Sequence, residues 1–117
     1  MMKYLLPLLV FYSMTLTGCY KSKIADDTPK CMEKVIKQLN KREGCAIAGE
    51  SGVLEYLFQN ETVYVVYGDD CFMEGKQTIY DQECNIIGQI LTQYGGDPLV
   101  RGEGFSNAIF VREVWEK

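Results

Sequence analysis

Apolar residues recur along the chain with different spacings, and each spacing predicts a different element. Residues 4–15 (YLLPLLVFYSMT) form a nearly unbroken apolar run behind one positive charge, Lys3. Met32, Val35, Ile36 and Leu39 then fall at i, i+3, i+4 and i+7, the stripe of an amphipathic helix. Glu33, Lys34, Lys37, Gln38 and Lys41 take its wet side, with Glu33 and Lys37 placed for an i,i+4 pair. Thr28 is a good N-cap and Pro29 suits the first helical position, so the helix is predicted from Pro29 to about residue 42, with Gly44 at its exit.

Beyond residue 52 the pattern changes to β-branched and aromatic runs. Residues 53–58 (VLEYLF) and 62–67 (TVYVVY), with Gln59, Asn60 and Glu61 between them, predict a hairpin. Asn60, Glu61 and Thr62 also match a glycosylation sequon, read here as turn chemistry. Residues 77–80 and 85–91 predict a second hairpin around Asp81, Gln82 and Glu83. Its second arm is open to two readings, since Ile86, Ile87, Ile90, Leu91 and Tyr94 would also stripe a helix; Gly88, poor in a helix interior, favours the strand. Residues 95–104 read as a glycine-rich loop and residues 108–115 (AIFVREVW) as a closing strand. The fold expected is α+β: one N-terminal amphipathic helix covering one face of a small antiparallel sheet of four to five strands.

The first apolar run is too short for a transmembrane helix, which needs about 20 apolar residues. Pro7, Ser13, Thr15 and Thr17 also interrupt it, so residues 1–18 read as an export signal. Leu16, Thr17, Gly18 and Cys19 resemble the lipobox of bacterial lipoproteins. The resemblance implies cleavage before Cys19, acylation of its sulfur and of the new amino group, and stable anchoring by more than one chain. Tyr20, where the sorting rule of that family puts aspartate for inner-membrane retention, implies the outer membrane. Residues 19–29 are read as a lipidated tether and residues 30–117 as one domain. Asp26 and Asp27 lie further from Cys19 than the acidic surface-export signals of some Bacteroidota lipoproteins.

Without residues 1–18 the 117-residue chain becomes 99 residues long and loses one basic residue, leaving 11 basic against 16 acidic and a formal charge of −5. That is enough for a single small core, and its acidity argues against nucleic acid as a partner. There is no histidine, which excludes Ser-His-Asp and Cys-His catalysis and His-ligated zinc within the chain. With Cys19 acylated, Cys31, Cys45, Cys71 and Cys84 remain, an even number that predicts two disulfides. Their wide spacing lacks the close pairs of a structural zinc site. A helix running to residue 42 would carry Cys31 roughly 16 Å from its far end, and three extended residues return at most ~10 Å. That strains Cys31–Cys45; Cys45–Cys71, across the open end of the first hairpin, is reasonable. All three connectivities stay open.

The chain also resembles a family of short Bacteroidota lipoproteins, a domain of unknown function. The resemblance is carried by Cys31, Glu33, Lys34 and Ile36, by the tyrosine-rich strand at 63–67, and by Asp70-Cys71 and Tyr80-Asp81. Gly95-Gly96, Arg101-Gly102-Glu103-Gly104 and Val114-Trp115 complete it. It covers most of the mature chain and implies a fold and a compartment but no activity; Cys45 and Cys84 stand away from the family's cysteine positions.

Residues 95–105 (GGDPLVRGEGF) are the most site-like segment, where Asp97, Arg101 and Glu103 could hold a cation or a polar ligand. The segment lacks phosphate-loop, dinucleotide and EF-hand patterns, and turn geometry accounts for its glycines. Asp69, Asp70 and Glu74 near Cys71 could bind calcium or do acid–base work, but read better as an acidic surface loop. Tyr56, Tyr64, Tyr67, Tyr80 and Tyr94 could stack on sugars, though strand aromatics more often pack across strands. No nucleophile–base pair is visible and no cofactor is implied. The function expected is a non-catalytic interaction or accessory module, anchored to the membrane by lipid and meeting an envelope protein. A small glycan- or ion-binding module is the alternative, and an enzyme acting on an envelope substrate comes third.

Overall fold

The computed structural model describes residues 23–41, 51–68, 75–92 and 95–117. Residues 1–18, expected as an export signal, and Cys19, Gly44, Cys45, the acidic corner with Asp69, Asp70, Cys71 and Glu74, and Tyr94 lie outside these residues.

Helix α1 (Lys30–Lys41) buries Met32, Ile36 and Leu39, the stripe that the spacing predicts. It starts one residue later than expected. The carbonyl of Pro29 accepts from the amides of Met32 (3.0 Å) and Glu33 (3.1 Å), which makes Pro29 the capping residue. Thr28 turns its hydroxyl back to donate to the carbonyl of Ala25 at 2.7 Å.

The strands are β1 (Gly52–Phe58), β2 (Glu61–Tyr67), β3 (Lys76–Tyr80), β4 (Ile86–Leu91), β5 (Leu99–Val100), β6 (Glu103–Gly104) and β7 (Ile109–Glu116). Five of them form one antiparallel sheet in the order β4-β3-β2-β1-β7. The segment at 86–91 is thus strand. The first turn is shorter than expected: Phe58 pairs with Glu61, and Gln59 and Asn60 alone make the turn. Their φ angles of 54° and 63° follow the two-residue type I′ pattern, whose twist suits a right-twisted hairpin.

The main departure lies in residues 95–104. They contain a third hairpin, with Leu99 opposite Gly104 and Val100 opposite Glu103, turning through Arg101 and Gly102 at φ 53° and 83°. A short 3-10 turn (Phe105–Asn107) follows. The sheet is consequently covered on both faces. On one, α1 packs Met32, Ile36 and Leu39 against Val53, Tyr64, Val66, Val114 and Trp115. On the other, Val100 and Phe105 pack against Phe58, Val63, Val65 and Ile79. Four successive residues of β2, Val63, Tyr64, Val65 and Val66, are therefore all buried, as in a strand with no wet face.

A disulfide joins Cys31 in the first turn of α1 to Cys84 after β3, with the Cα atoms 6.1 Å apart. Closing a loop of 53 residues, it adds stability on the order of 2–4 kcal/mol. The segment expected as tether packs on the domain from Ile24 onward. Ile24 and Ala25 lie against the helix-side cluster, and the Ala25 amide donates to the Val114 carbonyl at 2.9 Å. No helix of the described residues is long and apolar enough to cross a membrane.

Candidate functional site: the free edge of the last strand

Strand β7 lies at one edge of the sheet and, among the described strands, pairs only with β1. The pairing is interrupted twice, between Val53 and Leu54 and between Glu55 and Tyr56 of β1, where β7 carries one extra residue each time. These bulges change which way successive side chains point. Val114 and Trp115 both join the helix-side core. At the other end, Ile109, Phe110 and Val111 are left 62%, 54% and 49% exposed. Leu57, the partner of Ile109 on β1, is also exposed. Buried sheets seldom leave three consecutive apolar residues open on an edge, because an unblunted edge invites another chain.

Aromatic contacts support this edge from beneath. Phe110 meets Tyr56 edge-on, with ring centroids 5.6 Å apart. Tyr56 lies 5.6 Å from Phe105, and Phe105 lies 5.1 Å from Phe58. Such tilted and T-shaped pairs suit the ring quadrupoles. Phe110 is thereby held in place while half of its surface faces water.

The middle of the strand is polar and closed. Arg112 Nε donates to Glu55 Oε1 at 2.7 Å, and its Nη2 donates to the Asp26 carbonyl at 2.8 Å. The hydrogen bond to Glu55 raises the Arg112 pKa further above its ordinary value. Burial pushes the neighbouring Tyr64 hydroxyl up, Glu55 adds to the shift and Arg112 opposes it. Ala25 then covers the edge at Val114. The chain thus closes one half of its own edge and leaves the apolar half open.

The residues expected to hold a ligand have other partners. Asp97 accepts from the backbone amide and the hydroxyl of Ser106, both at 2.8 Å, which caps the 3-10 turn. A Cβ on Gly104 would collide with that carboxylate. Arg101 donates to Glu61 Oε1 at 3.0 Å and stands 3.6 Å from Asp81 Oδ2. Glu103 accepts from Gln59 Nε2 at 3.1 Å and from Asn107 Nδ2 at 2.9 Å. The structure does bring Arg101 and Glu103 together, but as ties between the two hairpin tips. Tyr64 is buried and Tyr56 is packed between two phenylalanines; neither forms a stacking platform. Among the described residues no group of three or more acidic or cysteine side chains is placed to hold a metal ion.

Sequence reading missed the polar centre at Asp81. Its Oδ1 accepts from the amides of Glu83 and Asn85, each at 2.9 Å, and its Oδ2 from Asn85 Nδ2 at 3.2 Å. These bonds, with the Asn85 amide first and against the opposing effect of burial, hold its carboxyl below the usual carboxylate range. The turn signal at Asp81 was visible, its burial was not.

Comparison with known proteins finds no matching family model, no matching curated sequence and no matching solved structure.

Proposed function

We propose that the chain is an exported lipoprotein anchored through Cys19 at the bacterial outer membrane. Its domain is a non-catalytic interaction module that meets another envelope protein at the free edge of β7. The observation that carries the interaction reading is the run Ile109, Phe110 and Val111, exposed on an edge strand beside Leu57. The lipobox-like Leu16 to Cys19 supports the anchor.

Cys45 and Cys71 form the second disulfide in this reading. With Cys31 joined to Cys84, they are the two cysteines left after Cys19. In sequence Cys45 precedes and Cys71 follows the paired end of one hairpin, where Gly52 is opposite Tyr67.

The test is gentle detergent purification of the full-length lipidated protein from its native membranes, followed by mass spectrometry. A stoichiometric envelope protein is expected with the wild-type chain and lost with the double variant I109K/V111K. Recovery of the chain alone, or of the same partner with the variant, removes the reading. Incorporation of labelled palmitate by the wild type and not by C19A checks the anchor separately.

A further inference from the structure

We infer that the occupant of the open edge is an extended segment of another protein, carrying basic side chains beside apolar ones. The inference rests on the interaction-module reading and adds the chemistry of the partner. Its apolar half would lie on Leu57, Ile109, Phe110 and Val111. An added strand supplies backbone hydrogen bonds, and side chains at alternate positions supply selectivity. The bulge beyond Phe110 ends the regular ladder there, so the paired stretch is short and side-chain contact must carry much of the recognition.

Charge selects between possible occupants. Asp26, Asp27, Glu113 and Glu116 are all exposed along or beside this strand. The one cation in the middle of the strand, Arg112, is already engaged by Glu55 and the Asp26 carbonyl. Lys117 stands past Trp115 at the far end of the strand, and Lys23 precedes Ile24 on that side. Asp26, Asp27 and Glu113 therefore set an acidic border beside the open half, and a basic flank of the segment complements it.

A second copy of the chain fits poorly, because a two-fold interface brings the same acidic border from both copies into one contact. A lipid surface fits poorly as well. Ala25 sits opposite Val114 and Asp26 reaches Arg112, so the segment from Lys23 runs antiparallel to β7 with its start toward Glu116. Val111 lies about 17 Å from Glu116 along the strand at ~3.3 Å per residue, at the end away from Lys23. An anionic bilayer would in addition be repelled by the acidic edge.

The experiment places a photoreactive amino acid at position 109 of the full-length lipidated chain, with a control at the exposed position 99, and crosslinks in native membranes. The crosslinked peptide is then sequenced. The expected adduct at position 109 comes from another protein and holds Lys or Arg within the crosslinked stretch. Its yield should fall at least tenfold in D27K/E113K and less in Glu113→Gln, with lipidation and thermal midpoint unchanged. An adduct with a second copy, with lipid or with an acidic segment overturns the inference, as does a yield indifferent to charge reversal. An adduct at position 99 alone overturns it together with the placement of the interface at β7, whereas an acidic protein segment crosslinked at position 109 overturns it and leaves the module reading intact. No adduct at either position removes both.

Discussion

Gly88 of β4 and Val100 of β5 touch across the outer face of the sheet: a Cβ on Gly88 would lie 2.9 Å from Cγ2 of Val100. Val100 is fully buried and, being β-branched, has little rotamer freedom with which to yield. This contact is where the β5–β6 hairpin seats on the sheet. G88A should therefore destabilise the fold by about 1–3 kcal/mol through overpacking, read as a lower urea midpoint with an unchanged m-value. A neutral result would show that the hairpin can lift without cost.

Asp97 holds the turn that follows that hairpin. D97A removes the acceptor from the Ser106 amide and hydroxyl and should cost roughly 0.5–2 kcal/mol, as for loss of a cap. Because the carboxylate serves the turn, calcium added to the wild-type protein should leave its thermal midpoint unmoved. A calcium-dependent rise lost in D97A would return the loop to the status of a ligand site.

Stability should fall in acid partly through Asp81. Its folded pKa lies below the unfolded value, so between the two the unfolded chain binds more protons. Its contribution is present above the unfolded carboxylate range, near pH 4, and is lost as pH drops through the lower folded pKa. Urea unfolding followed from pH 6 down to pH 2 should show a decline that is shallower in D81N, and D81N should already be less stable at neutral pH.

The disulfides should be separable in kind. Peptide mapping without reduction is expected to yield Cys31 linked to Cys84 and Cys45 linked to Cys71, with neither cross-combination. C31S/C84S should lower unfolding free energy by about 2–4 kcal/mol, since the bond joins α1 to the far end of the sheet. A peptide linking Cys31 to Cys45 would contradict the structure directly.

Much of this architecture was legible along the chain because it depends on local periodicity. Met32, Ile36 and Leu39 repeat with the helical period and are buried as a stripe. The β-branched runs around Gln59 and Asn60 pair in the hairpin they predict, and Gly88 correctly argued for strand over helix. The even count of cysteines after Cys19 predicted bridging, and one of the two expected bridges, Cys31–Cys84, is seen among the described residues, though the count did not tell which partner Cys31 takes. What tertiary structure alone decided is non-local. Residues 99–104 have strands too short to carry a period, and nothing in them announces that Val100 will close the sheet's second face. Asp97, Arg101 and Glu103 looked like a ligand set because their partners Ser106, Asp81, Glu61, Gln59 and Asn107 are chosen by folding. The strand at 109–116 was readable as a strand, but its place at the edge was not, since strand order depends on β7 reaching back to β1. Periodicity tells which side chains must leave water; only the packing of distant segments tells which of them, like Ile109, Phe110 and Val111, find no cover.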